Sequence, residues 1–136
     1  MFSSLDVSTS GLVAQRARLN AISSNIANMS TTRNERGESE PYQPRYVTFE
    51  TDTGLATPGG GAGVKVGGVH YSNEAPKMKY EPGHPDADER GYVRYPAVDM
   101  TLEFVDALEA TRAYEANIGV IEITKNMAEQ SLRIIA

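Results

Sequence analysis

Apolar residues recur with helical spacing at both ends of the chain and lose that spacing in the middle. In the first segment a 3-4 repeat picks out Leu5, Ser8, Leu12, Gln15, Leu19, Ile22, Ile26 and Met29, with only Ser8 and Gln15 polar. This is one stripe of an amphipathic helix. In the last segment the same spacing runs through Met100, Phe104, Ala107, Thr111, Tyr114, Ile118, Ile121, Lys125, Ala128, Leu132 and Ile135. A neighbouring line of Ala116, Val120, Ile123, Met127 and Ile134 widens that face beyond a two-stranded seam. Asp99 supplies an N-cap oxygen, and Glu103 an acid for the first turn of the helix. A helix from Asp99 to Ala136 spans about 57 Å at about 1.5 Å per residue.

The middle is punctuated instead of periodic. All 7 prolines fall between Arg33 and Ala97, while the two flanks hold no glycine except Gly11 and Gly119. Tyr46 to Phe49, Val64 to Val66, Val69 to Tyr71, Met78 to Tyr80 and Tyr92 to Tyr95 are β-branched or aromatic runs bounded by turn formers. They read as short strands, and residues 54–63, with Pro58 and consecutive glycines, as a loop.

The chain therefore divides into an N-terminal helix (1–32), a β-rich insert rich in Gly and Pro (33–97) and a C-terminal helix (98–136), an α+β class. Because the insert returns the chain to its starting neighbourhood, the two long helices are expected to lie antiparallel as a coiled-coil-like pair. Neither can bury all of its apolar surface on the other, so the surplus is expected to form a subunit interface. The candidate residues are Leu5, Leu12, Leu19, Ile22, Ile26, Phe104, Tyr114, Ile118, Ile121, Leu132 and Ile135. Each large aliphatic buried there contributes roughly 1.5 to 3 kcal/mol. Leu19 and Ile121 sit mid-stripe, whereas Arg18 lies off it and is expected to tolerate a change of charge. Gln15 and Lys125 interrupt the stripes and either set register or lie at a wet edge with their stems packed.

Charge narrows the partners. The formal net charge is -5, with 13 basic residues scattered among 18 acidic ones, so no Lys/Arg stripe is available for a phosphate backbone. Nucleic acid is not an expected partner, and neither is a small-molecule substrate. No apolar run is long enough to span a bilayer, and the first residues lack the basic and apolar regions of a cleaved secretory signal. With 0 cysteines there is no disulfide and no thiol chemistry.

The candidate chemistry is thin. His84, Asp86 and Asp88 offer imidazole and carboxylates in a Pro-containing turn, the seed of a small metal-dependent hydrolase. The other reading is a solvated acidic turn, since the only further histidine is His70. The glycines between 59 and 68 are not followed by Gly-Lys-Ser/Thr, and no Gly-x-Ser-x-Gly elbow exists. No catalytic residue, cofactor or metal site is expected, and the chain is read as a non-enzyme.

Two motifs carry a family resemblance. Ser10-Gly11-Leu12, Ala14-Gln15, Leu19, Ile22-Ser23-Ser24-Asn25-Ile26-Ala27-Asn28 and Thr31 resemble the amino-terminal motif of bacterial flagellar rod and hook proteins. Arg112-Ala113-Tyr114-Glu115-Ala116-Asn117, with Lys125 and Met127, resembles their carboxy-terminal helix. Residues 80–96, with His84-Pro85-Asp86 at their centre, are similar to the segment that marks proximal rod proteins of the FlgC type, with Ala97 in place of the usual Asn. The resemblance implies a structural subunit of the basal-body rod, part of the motor's drive shaft, that polymerises helically through its terminal helices in the periplasm. It further implies export through the flagellar type III machinery without a cleaved signal peptide. The implied partners are copies of itself and other rod proteins, with the membrane ring and export gate nearby. A secreted coiled-coil adaptor or translocon-type protein is the alternative among non-enzymes.

Overall fold

The structure, a computed structural model, describes residues 2–136. Helix α1 (Phe2–Ala27) is followed by β1 (Arg45–Asp52), a 3-10 turn at Thr53–Leu55, β2 (Gly63–Tyr71), β3 (Lys77–Tyr80), β4 (Tyr92–Tyr95) and helix α2 (Met100–Ile135). β1 pairs antiparallel with β2, and β3 pairs antiparallel with β4, as two separate hairpins. The expected α+β arrangement, two terminal helices packed together with a small β insert between them, is the one observed.

The helices run antiparallel. Gly11 faces Asn117, Arg18 faces Asp106 and Glu109, and Asn25 faces Glu103, so numbers rise along α1 as they fall along α2. A Cβ on Gly11 would lie 2.9 Å from the side-chain amide of Asn117, so this glycine lets the two helices close. Asp99 caps α2 as expected, accepting from the backbone amides of Thr101 and Leu102.

α1 stops at Ala27, short of the expected Thr32. Asn28 donates its amide to the Ser24 carbonyl at 2.9 Å and accepts from the Thr31 hydroxyl at 3.1 Å. Short polar side chains of this kind offer the backbone a turn in place of the next helical bond.

The runs expected as two strands, 64–66 and 69–71, form one strand instead. Gly67-Gly68 does not break β2: the register steps from Thr48↔Gly68 to Phe49↔Val66, leaving Gly67 as the extra residue of a β-bulge. In the turn joining β3 to β4, Gly91 has φ 83°, and a Cβ there would meet the Tyr80 ring at 2.8 Å. Only glycine satisfies both constraints.

The interior is small and is built on α1. Among the described residues, the buried apolar side chains are Ala14, Ala21 and Ile22 of α1, Ala110 of α2, Val93 of β4 and Val98 just before α2. α1 packs on α2 along one side and on β1 and β2 along another, so its apolar positions spread around the helix. Of the insert's large apolar side chains, Val93 is fully buried, while Tyr46, Phe49, Val66, Val69, Tyr71, Met78, Tyr80 and Tyr92 are exposed.

Candidate subunit interface

The stripe of α2 does not point at α1 as a whole. The residues of α2 that are at least half-buried are Glu103, Asp106, Ala107, Ala110, Ala113, Tyr114, Asn117, Gly119, Ile121, Thr124 and Ala128, of which Ala110 is fully buried. Apart from Tyr114 and Ile121 these are small or polar groups, and small side chains let the helix backbones approach where larger ones would hold them apart. Other large residues of the stripe look outward: Phe104 is 56% exposed, Ile118 37%, Leu132 67% and Ile135 83%. Leu102, Val105, Leu108, Ile123, Met127 and Ile134 join them on the surface.

The eleven candidate residues therefore separate into three groups. Ile22 is buried at 6% exposure between the helices and the insert. Leu5, Leu12, Leu19, Ile26, Tyr114 and Ile121 are half-buried, and Phe104, Ile118, Leu132 and Ile135 remain open.

α2 also outreaches α1. The pairing of Gly11 with Asn117 and Asn25 with Glu103 sets a register that brings the first residues of α1 opposite the region of Lys125. The last turns of α2, carrying Met127, Leu132, Ile134 and Ile135, project past that point with no covering element among the described residues. Lys125 is 73% exposed and 4.0 Å from Glu129, a wet edge position. Gln15 differs, since its Oε1 is buried with no hydrogen-bond partner among the described residues.

The amino-terminal motif has a different job from the one its spacing suggests. Ser10 accepts from the Val64 amide at 3.0 Å while donating to the Val7 carbonyl at 2.6 Å, tying β2 to α1. Asn25 joins Arg45 of β1 to Glu103 of α2. Arg18, expected off the seam, bridges Asp106 at 3.4 Å and Glu109 at 3.2 Å. A reversal of its charge would set three carboxylates near each other at a partly exposed edge, which weighs against the expected tolerance. Polar residues on a helix carry no periodic signal that separates such cross-ties from a solvated face.

The turn with His84, Asp86 and Asp88 uses its acids internally. Asp86 accepts from the Thr32 hydroxyl and from Arg33 Nε, both at 2.7 Å, and its backbone amide donates to His84 Nδ1 at 3.0 Å. Asp88 Oδ1 accepts from the amides of Arg90 and Tyr92, both at 2.9 Å. Thus one acid fastens the β3–β4 turn to the segment that follows α1 and another shapes the turn. No group of three His, Asp or Glu converges among the described residues.

The Thr32 hydrogen bond holds the Asp86 carboxyl below the usual aspartate range, with Arg33 acting in the same sense and burial opposing it. A carboxylate whose folded pKa lies below its unfolded value stabilises the fold at neutral pH, and that contribution is lost as pH falls through the folded pKa. Wild-type protein is therefore expected to lose stability on acidification below the ordinary aspartate range. Asp86→Asn should be weaker at neutral pH and lose less on acidification. Urea unfolding from neutral to acidic pH checks this, and profiles that differ only by a constant offset would refute it.

Two family models match this chain. Residues 5–33 match the model described as flagella basal body rod protein. Residues 89–134 match the flagellar basal body rod FlgEFG protein C-terminal model. Among curated relatives, the flagellar basal-body rod protein FlgC of Borreliella burgdorferi is 39% identical, over 99% of this chain and 97% of its own length. The FlgC protein of Salmonella typhimurium is 41% identical, over 95% of this chain and 93% of its own.

The chain belongs to the FlgC family of flagellar basal-body rod proteins.

The FlgC protein of Bacillus subtilis, 39% identical over 98% of this chain, falls in the same group. Its place in this family makes the chain a structural subunit of the basal-body rod and not an enzyme. The alternatives of a secreted adaptor and of a metal-dependent hydrolase gain no support from these relatives. Of the two flanking motifs, Ser10, Gly11 and Asn25 lie in the first matched segment and Asn117 in the second, so both matched segments contribute to the α1–α2 pairing.

Proposed function

We propose that the rod subunit polymerises helically, with copies of itself and with other rod proteins, through the outward face and projecting end of α2. The supporting observation is the apolar ridge from Phe104 through Ile118 to Leu132 and Ile135, which this chain leaves open to solvent. Exposed apolar surface of this extent on a soluble chain marks an interaction site. A face shared with a different face of the next copy gives a contact that does not close, which is the geometry of a filament. The finer parts of the reading are a periplasmic position next to the membrane ring and export gate, and export by the flagellar type III machinery without a cleaved signal. These rest on the family resemblance.

Substitution of Ile118 or Leu132 by Asp tests the reading. Leu132 is exposed at 67% in the single chain, so helix content and thermal stability should change little there, within about 0.5 kcal/mol, and somewhat more at Ile118, which is 37% exposed. In a neighbour's interface the same carboxylate would be buried unpaired, at a cost of several kcal/mol. Both variants should therefore be absent from purified basal bodies and leave cells non-motile, whereas Glu35→Lys in the exposed loop should assemble and swim. Normal incorporation of Leu132→Asp and Ile118→Asp would overturn the assignment of this face.

A further inference from the structure

Asn25 is a buried polar side chain whose whole hydrogen-bonding capacity is used inside the fold. It is 4% exposed. Its amide nitrogen donates to the Arg45 carbonyl at 2.8 Å and to Glu103 Oε1 at 3.1 Å. Its oxygen accepts from the Arg45 amide at 2.9 Å and from the Tyr42 hydroxyl at 3.1 Å. Both donors and both acceptor sites of a single carboxamide are thus occupied, by partners from three parts of the chain. The same Arg45 also donates from Nε to the Tyr42 hydroxyl at 3.2 Å, which closes the network.

The surroundings show why such a junction matters. The β1–β2 hairpin meets the helix pair beside an open cavity of about 300 Å³, lined by Ala21, Ile22, Val47, Phe49, Arg18 and Asp106 among others. Apolar packing at this junction is therefore incomplete. A hairpin held by loose apolar contacts can rock, whereas the paired donation and acceptance at one backbone residue fixes both its position and its tilt. Burial holds the Glu103 carboxyl above its usual range, so this acid sits in a partly dry environment where an amide donor is strongly favoured.

We propose that Asn25 is a polar latch that locks the β1–β2 hairpin to the helix pair, so that this hairpin and the helices move as one rigid unit. The latch acts through geometry and charge together. One oxygen must face two donors, and one nitrogen must face two acceptors. Asp at this position keeps the shape and the first half of the function, but places a second oxygen against the Arg45 carbonyl and the Glu103 carboxylate. Of the natural side chains of this size and shape, only the carboxamide satisfies both halves. The inference concerns rigidity within one subunit and does not depend on which face meets a neighbour.

The chain has 0 cysteines, so spin labels can be placed at will. Thr51→Cys on β1 and Glu122→Cys on α2 are exposed positions on the two bodies. Pulsed dipolar spectroscopy on the full chain should give one narrow distance distribution with Asn25 intact. Asn25→Asp should broaden it and should speed hydrogen exchange at the Arg45 amide by about tenfold or more. Helix content should stay unchanged.

Adding Glu103→Gln to Asn25→Asp supplies a donor to the new oxygen and should restore much of the narrow distribution, while Glu103→Gln alone should leave it narrow. A narrow distribution and slow exchange in Asn25→Asp would overturn the proposal. Broadening accompanied by loss of helix and not relieved by Glu103→Gln would also overturn it, by showing general destabilisation. Asn25→Ala, which removes all of the bonds, should broaden the distribution as well and should not respond to Glu103→Gln.

Discussion

Replacing Ile22 with Asp is expected to unseat α2 and the β1–β2 hairpin from α1 together. Ile22 is buried at 6% exposure and borders the junction lined by Val47, Phe49 and Glu103. The change removes roughly 2 kcal/mol of apolar burial. It also places a carboxylate beside Glu103, whose own charge is already disfavoured by burial, which adds several kcal/mol. Against a total stability of about 5 to 15 kcal/mol, and with so few buried side chains here, the loss approaches the whole margin. Thermal unfolding followed by circular dichroism should show a fall of ~10 °C or more, or no cooperative transition.

Leu19→Asp is the informative comparison. Leu19 is only half-buried, and Ile121 likewise, so an acid at either can turn towards water and should cost less within the single chain. A melting curve for Ile22→Asp close to that of Leu19→Asp would show that the junction around Ile22 carries little of the stability.

The second large effect belongs to Val93. It is the largest fully buried side chain among the described residues and lies in β4 opposite Lys79. Val93→Asp leaves an acid with no route to solvent, at a cost of several kcal/mol that falls on one hairpin. Protection of amides 77–95 against hydrogen exchange should collapse, while Ala14, Ala21 and Ile22 on α1 keep theirs, because the α1–α2 seam makes no use of Val93. Uniform loss of protection along the chain would mean that the β3–β4 hairpin and the helix pair fold as a single cooperative unit.

These effects bear on how the insert is held. A reading from pattern alone expects residues 35–97 to survive proteolysis after the flanks are trimmed. The structure gives that region almost no interior of its own: β1 and β2 lean on α1, Ser10 and Asn25 bind their backbones, and Thr32 with Arg33 holds the β3–β4 turn. Cleavage within α1 removes the floor on which the insert rests.

The sequence by itself determined the elements and the family. Helical periodicity, the confinement of proline to the middle and the Asp99 cap are local properties, set by backbone sterics and by hydrogen bonds between near neighbours. They placed both helices and most strands, and the motifs around Asn25 and Tyr114 placed the chain among rod proteins. What only the tertiary structure decided is which side of each helix is used, and by what. A stripe records that a face is apolar, not whether α1, a hairpin or another subunit covers it. Thus Phe104 and Leu132 share a stripe with Ile121, yet they lie in the open while Ala110 and Asn117 form the seam. Polar cross-ties were invisible for a similar reason. Arg18, Asn25 and Asp86 show no sign of their roles in the sequence until residues 88, 78 and 54 positions away along the chain supply their partners, and that proximity is created by the fold alone.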